Sequence, residues 1–384
     1  MGLRLNENQK QFYKLYIALL ASALSGNKPP ELPSDFNWNR LCKTAQQNSV
    51  LNMIGYTIDK VNVKPGDTAR RVIENELNYQ ILKETSQLVQ SEKIIEGFEK
   101  RKIRNVPLKG YFMKRLYPQS DFRTMTDIDI LVDKKNFSEV EKVFADNGIP
   151  TRHLTKSSEI HFTKDLMYFE IHSDLNELDD SVYDDIWDKV TLREGYSYSY
   201  EMSREDFYVY LLYHAAKHMF YAGIGIRMVM DIYVYLTAYP DLDFEYIESQ
   251  LRERRIDVFE KRLRKLAFNW FSYDEIEIDD LGEFILSSGT FGNRDVGFFL
   301  DGSRTGRFYW LKQVFLPYDT MKKRYVYLSK LPFLLPFSWV QYWSSRVIAR
   351  DIRFKEGYES RRDRNELEDR DFVLGLFRDL KLER

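Results

Sequence analysis

The stretch RTMTDIDILV, Arg123 to Val132, decides how this chain is read. Asp127 and Asp129 stand one residue apart at the entry of an apolar run. Side chains alternate along a strand, so the two carboxylates share one face and Ile128, Ile130 and Val132 take the other. Like charges this close repel, and burying them unpaired is costly. A divalent cation removes that penalty. Mg²⁺ takes hard oxygen ligands and is often held by carboxylates together with substrate phosphates. The plainer alternative is a solvated strand mouth, because D-x-D also arises by chance.

A second stretch bears on that choice. In MYFEIHSDL, Met167 to Leu175, strand alternation places Tyr168, Glu170, His172 and Asp174 on one face. If this strand lies beside 127–132, Glu170 approaches both aspartates. Three such carboxylates suit a pair of metal ions about 4 Å apart that clamps an in-line phosphoryl displacement. One of them could take the proton of an attacking hydroxyl. Glu170 could instead be an exposed strand charge or a cross-strand partner of Lys164.

A third stretch, PLKGYFMKRLY, ends a short strand at Lys109-Gly110 and opens a helix. Gly110 allows close backbone approach, and N–H groups at a helix start favour an anion. Lys109 adds a point charge for phosphate. The Walker A pattern is absent. Arg123 could meet phosphate or form a structural salt bridge.

Around these stretches the chain is organised in four regions. Residues 1–100 are helical, with a first helix ending at Gly26, a second capped by Asp35 or Asn37 and running through RLCKTAQQNSVLNMIGYTI, and a long one near 68–101. Residues 101–200 read β-α-β-α-β-β, a small α/β unit with a mixed sheet whose last two strands form a hairpin. Residues 201–300 are helical. Residues 301–384 are aromatic-rich, with a solvated helix at the end. The fold class is therefore α+β.

Composition narrows the function. The 384 residues exceed one ordinary core. Lys+Arg at 57 nearly cancels Asp+Glu at 59, so nothing draws the whole chain to nucleic acid. The single Cys42 excludes an internal disulfide and suits a reducing, cytoplasmic setting. MGLRLNENQK is too polar for a signal peptide. The apolar LPFLLPFSWV, Leu331 to Val340, is short and holds two prolines, so it reads as core or as a docking surface rather than a transmembrane segment.

Taken together, VPLKG, LYP, FRTMTDIDILV and FEIH resemble the uncharacterised nucleotidyltransferases of the DNA polymerase-β superfamily. WNRLCKTAQQNSVLNMIGY, LLYHAAKH with IRMVMDIYVYL, and FLPYDTMKKRYVYLSKLPFLLPFSW extend the likeness over much of the chain. The resemblance implies a polymerase-β-like core between helical regions. It also implies that Asp127, Asp129 and Glu170 form a catalytic, metal-binding triad for Mg²⁺ or Mn²⁺, and that Lys109 and Gly110 stand at the phosphate-binding turn. This chain departs from the wider superfamily in two places: Lys-Gly replaces a Gly-Ser or Gly-Gly pair, and the third acid is Glu where many relatives have Asp.

In the helical region, HAAKH puts His214 and His218 one turn apart. The zinc-protease pattern needs Glu after the first His, where this chain has Ala215. The pair is either packed and hydrogen-bonded beside tyrosines or lines a nucleotide cleft, with His218 near phosphate or base. Arg227 and Asp231 read first as a helix ion pair, and Arg227 second as a triphosphate contact. The expected activity is Mg-dependent transfer of a nucleoside monophosphate from an NTP, ATP first among them, to a hydroxyl. A small-molecule or protein acceptor is preferred to nucleic acid. The alternative is a non-catalytic nucleotide-binding or protein-interaction scaffold.

Overall fold

The computed structural model describes residues 3–156, 159–175, 182–272, 275–288, 318, 321–322, 325–329, 331–348 and 365–382. The fold is α+β, with a small mixed sheet in a mainly helical chain. Two compact units emerge. One is Arg4–Arg294 with Leu376–Arg384, and the other is Met1–Leu3 with Asp295–Gly375.

The larger unit opens with α1 (Glu7–Ser25). Asn6 and Gln9 cap it reciprocally at 2.9 Å, and Gly26 ends it in the left-handed conformation that costs glycine nothing. Asn37 caps α2 (Trp38–Gln47) by accepting from the Arg40 N–H. The sequence suggested one helix through residue 58. The chain instead breaks at Ser49, which takes φ +53°, and restarts as α3 (Leu51–Gly55). Asn48 is the cause: its side chain turns back to the Thr44 carbonyl at 2.9 Å and competes with the helix backbone. The break frees the Ser49 carbonyl to accept from Thr124 Oγ1 at 3.1 Å, which ties the helical region to the segment that enters the aspartate strand. Next comes α4 (Asp67–Lys100), a single helix of 34 residues.

The sheet elements are β1 (Asn105–Pro107), the short α5 (Gly110–Met113), β2 (Ile128–Val132), α6 (Phe137–Asp146), β3 (Thr151–Lys156), β4 (Glu159–Lys164) and β5 (Met167–His172). Strand order is β1-β2-β5-β4-β3, with β2 and β5 parallel and the other neighbours antiparallel. The β4–β5 hairpin turns at Asp165-Leu166, with Asp165 at φ +53°, as an Asp tolerates. Sequence reasoning omitted β3. TRHLTK has one apolar residue and no alternation to mark it, and the strand lies on the sheet edge.

One sheet face is apolar. Ile128, Ile130 and Val132 join Ile160, Phe162, Phe169 and Ile171, and pack against Val140, Val143 and Phe144 of α6 and Ile94 and Phe98 of α4. Phe144 stacks on Phe162 with ring centroids 3.7 Å apart. This core leaves the opposite face to the charged residues of β2, β4 and β5.

The rest of the unit is α7 (Ile186–Lys189), a two-stranded ribbon of β6 (Thr191–Leu192) and β7 (Tyr200–Glu201), then α8 (Arg204–Tyr221), α9 (Ile226–Ala238), α10 (Phe244–Glu253), α11 (Asp257–Phe271) and α12 (Asp280–Ser288). The α8–α9 break falls at Gly223 and Gly225, as the sequence indicates.

In the smaller unit, Met321, Leu328 and Tyr342 form a buried cluster, with Tyr342 on α13 (Leu335–Ile348). The aromatic run has two faces. Trp339 packs against this cluster, whereas Phe333, Phe337 and Val340 are 73%, 61% and 66% exposed. The final helix, α14 (Asn365–Asp379), is less solvated than its charges suggest. Leu376, Phe377 and Leu380 are buried, and the Phe377 ring lies 5.9 Å from that of Phe220. Among the described residues, no helix is long and apolar enough to cross a membrane.

Candidate active site

The polar sheet face gathers the predicted acids. Parallel register sets Asp129 opposite Glu170, and antiparallel register sets His161 opposite Glu170 from the other side. His161, not Lys164, is thus the cross-strand neighbour of Glu170. Asp127 lies just before β2, on the same side as Asp129 by alternation. His172 Nε2 donates to Asp129 Oδ1 at 2.8 Å, and Lys109 Nζ donates to the same oxygen at 3.1 Å. Ligand atoms of Asp129, Glu170 and His172 lie within 4.8 Å of one another, close enough to share a metal ion.

The three carboxyls differ electrically. Burial opposes ionisation of Asp129, but Lys109 and His172 outweigh it and hold the group well below the usual carboxylate range. Burial and then Asp129 push Asp127 upward. Burial, then Asp127 and Asp129, push Glu170 up to about 7. The nearest imidazole nitrogens to Glu170 are 3.6 Å and 3.8 Å away, too far for good hydrogen bonds. Asp127 and Glu170 are thus the two acids that ionise less readily, with Lys109 offsetting burial and repulsion only in part.

The Lys-Gly turn is built differently from a phosphate loop. The helix it opens has four residues, and the N–H groups of Tyr111, Phe112 and Met113 already donate to the carbonyls of Leu108 and Lys109. Lys109 is held at φ +40°, ψ −111°, a backbone region that side-chain-bearing residues avoid. Its ammonium is turned onto Asp129. Gly110 is needed sterically: a Cβ there would stand 2.4 Å from Met125 Sδ.

The expected Arg227–Asp231 helix pair is not made. Asp231 accepts from Arg123 Nε at 2.8 and 2.9 Å and from the Tyr117 hydroxyl at 2.7 Å. Arg227 Nη1 donates instead to the carbonyl and hydroxyl oxygens of Thr124, at 2.8 and 2.7 Å. Burial and then the Arg123 charge bring the Arg227 pKa down to about 10. His214 and His218 bond to each other at 2.9 Å.

A family model described as uncharacterised nucleotidyltransferase matches residues 34–272. The chain belongs to that family. The matched span of this nucleotidyltransferase family member contains every residue of the cluster, including the Asp-x-Asp strand, the Glu-x-His strand and the α8–α9 pair. No curated protein and no solved structure was found to match the chain.

One residue of the cluster escaped sequence reasoning. Lys83 of α4 is half-buried, and its pKa is lowered by burial and then by Arg227, with Asp127 acting the other way. The signal was present. Ile73, Glu76, Gln80, Lys83 and Gln87 follow one helical stripe, so a lysine there falls on the face that turns inward.

Proposed function

We propose that the protein transfers a nucleoside monophosphate from an NTP to a hydroxyl, on a polymerase-β-like core and with Mg²⁺ or Mn²⁺. The observation that carries this reading is the register of β2 and β5, which sets Asp129 opposite Glu170, with Asp127 just before β2 and with burial and repulsion raising the pKa of Asp127 and of Glu170. Asp127, Asp129 and Glu170 would hold the metal. When bound, it would neutralise the carboxylates and the phosphate charge and align the displacement.

This chain's own groups supply the rest. The acceptor oxygen bonds to the α-phosphorus as the bond from that phosphorus to the β-bridging oxygen breaks, and pyrophosphate leaves. The hydroxyl proton passes to Glu170 as general base. His172 orients Asp129 through their 2.8 Å bond. Lys109 steadies the same carboxylate. His218 and the Lys109-Gly110 turn border the nucleotide, with Arg123 fixing the segment above it. ATP is the first candidate donor, and a small molecule or protein the preferred acceptor, since the net charge of −2 offers no general attraction to nucleic acid.

Heat-induced unfolding with ATP, GTP, CTP and UTP, each with and without Mg²⁺ or Mn²⁺, tests this. A ligand that binds only the folded state raises the midpoint by mass action. A metal-dependent shift that Asp127→Asn/Asp129→Asn loses is the expected result. No shift with any nucleotide would favour the scaffold reading.

A further inference from the structure

Four cations surround the segment from Arg123 to Asp129, and they fall into two classes. Lys109 and Arg123 are each paired with a carboxylate, Asp129 at 3.1 Å and Asp231 at 2.8 Å. Arg227 Nη1 meets only neutral oxygens of Thr124. Lys83 makes no hydrogen bond or ion pair among the described residues.

The placement of Lys83 follows from its helix. Gln87, one turn on, donates from Nε2 to the Met125 carbonyl at 3.2 Å, and the adjacent Glu84 pairs with Lys114 at 3.1 Å. That face of α4 thus lies beside Met125, next to Thr124, to which α9 delivers Arg227. The action of Arg227 and Asp127 on Lys83 agrees with this locality. Two half-buried like charges, neither paired with a carboxylate, oppose each other, and Asp127, Glu76 and Asp231 offset them only in part. A polyphosphate bridged to the carboxylates of the sheet face by a divalent cation relieves this repulsion and the one among those carboxylates.

We infer that Lys83 and Arg227 grip the β- and γ-phosphates of the nucleotide, the part released as pyrophosphate, while Lys109 and Arg123 serve the protein's own carboxylates. The inference rests on the nucleotidyltransferase reading above and adds to it a residue from outside the sheet unit. It reassigns phosphate contact from the turn after β1 to the two flanking helices.

The probe is inorganic tripolyphosphate with Mn²⁺, titrated calorimetrically into the full chain, with Mn²⁺ alone as a parallel titration. Lys83→Gln should weaken tripolyphosphate binding about tenfold or more, while Mn²⁺ alone binds within about twofold of wild type. Lys83→Arg should restore most of the loss, and Arg227→Lys should weaken tripolyphosphate in the same direction as Lys83→Gln. Because Lys83 has no hydrogen bond or ion pair to lose, its variants should unfold at a midpoint no lower than wild type. Wild type binding both probes, with Lys83→Gln binding tripolyphosphate equally well, would overturn the inference and leave the nucleotidyltransferase reading standing. Wild type binding neither probe would overturn both.

Discussion

Two acid clusters flank the segment from Arg123 to Asp129, and they are built on opposite terms. Asp231 is fully engaged: Arg123 reaches both of its oxygens, and Tyr117 adds a third bond. Asp127 has ionisation made harder by burial and Asp129, and Glu170 by burial and both aspartates, which Lys109 offsets only in part. A satisfied buried acid holds a structure together. Buried acids left short of countercharge cost stability, and that is the cost the proposed cation would relieve.

Substitutions should separate the two clusters. Asp231→Asn leaves Arg123 buried beside Arg227 without its acid, so unfolding free energy should fall by about 3–5 kcal/mol in denaturant titration. Asp129→Asn removes a proposed metal ligand, so transfer activity and metal-dependent nucleotide binding should drop by more than about 100-fold. Gly110→Ala drives a methyl against Met125 and should cost about 1–3 kcal/mol, read as a lower denaturant midpoint at unchanged slope. Asp127→Asn should do the reverse of Asp231→Asn and stabilise the metal-free protein by about 1 kcal/mol, because it relieves repulsion. If Asp127→Asn destabilised as much as Asp231→Asn, the contrast between the clusters would be wrong.

The acids were legible because alternation is a local rule. Spacing alone put Asp127 with Asp129 on one strand face and Glu170 with His172 on another, while the β2–β5 pairing that joins those faces stood only as a condition until the structure supplied it. The cations were not legible in the same way. Which acid Arg123, Lys109 or Arg227 meets depends on where α4 and α9 cross the sheet, and no local pattern encodes that crossing. The i,i+4 spacing of Arg227 and Asp231 was therefore misleading: a tertiary partner at 2.8 Å displaced the helical one. β3 was missed for lack of alternation, and the helix break at Ser49 for lack of a glycine or proline to mark it.

The most direct test is Mn²⁺ binding followed by electron paramagnetic resonance of the free ion. Wild type should deplete the free-ion signal, Asp127→Asn/Asp129→Asn should leave it unchanged, and a folded Asp231→Asn protein should deplete it as wild type does. Equal depletion by wild type and the double variant would place the cation elsewhere and contradict the account.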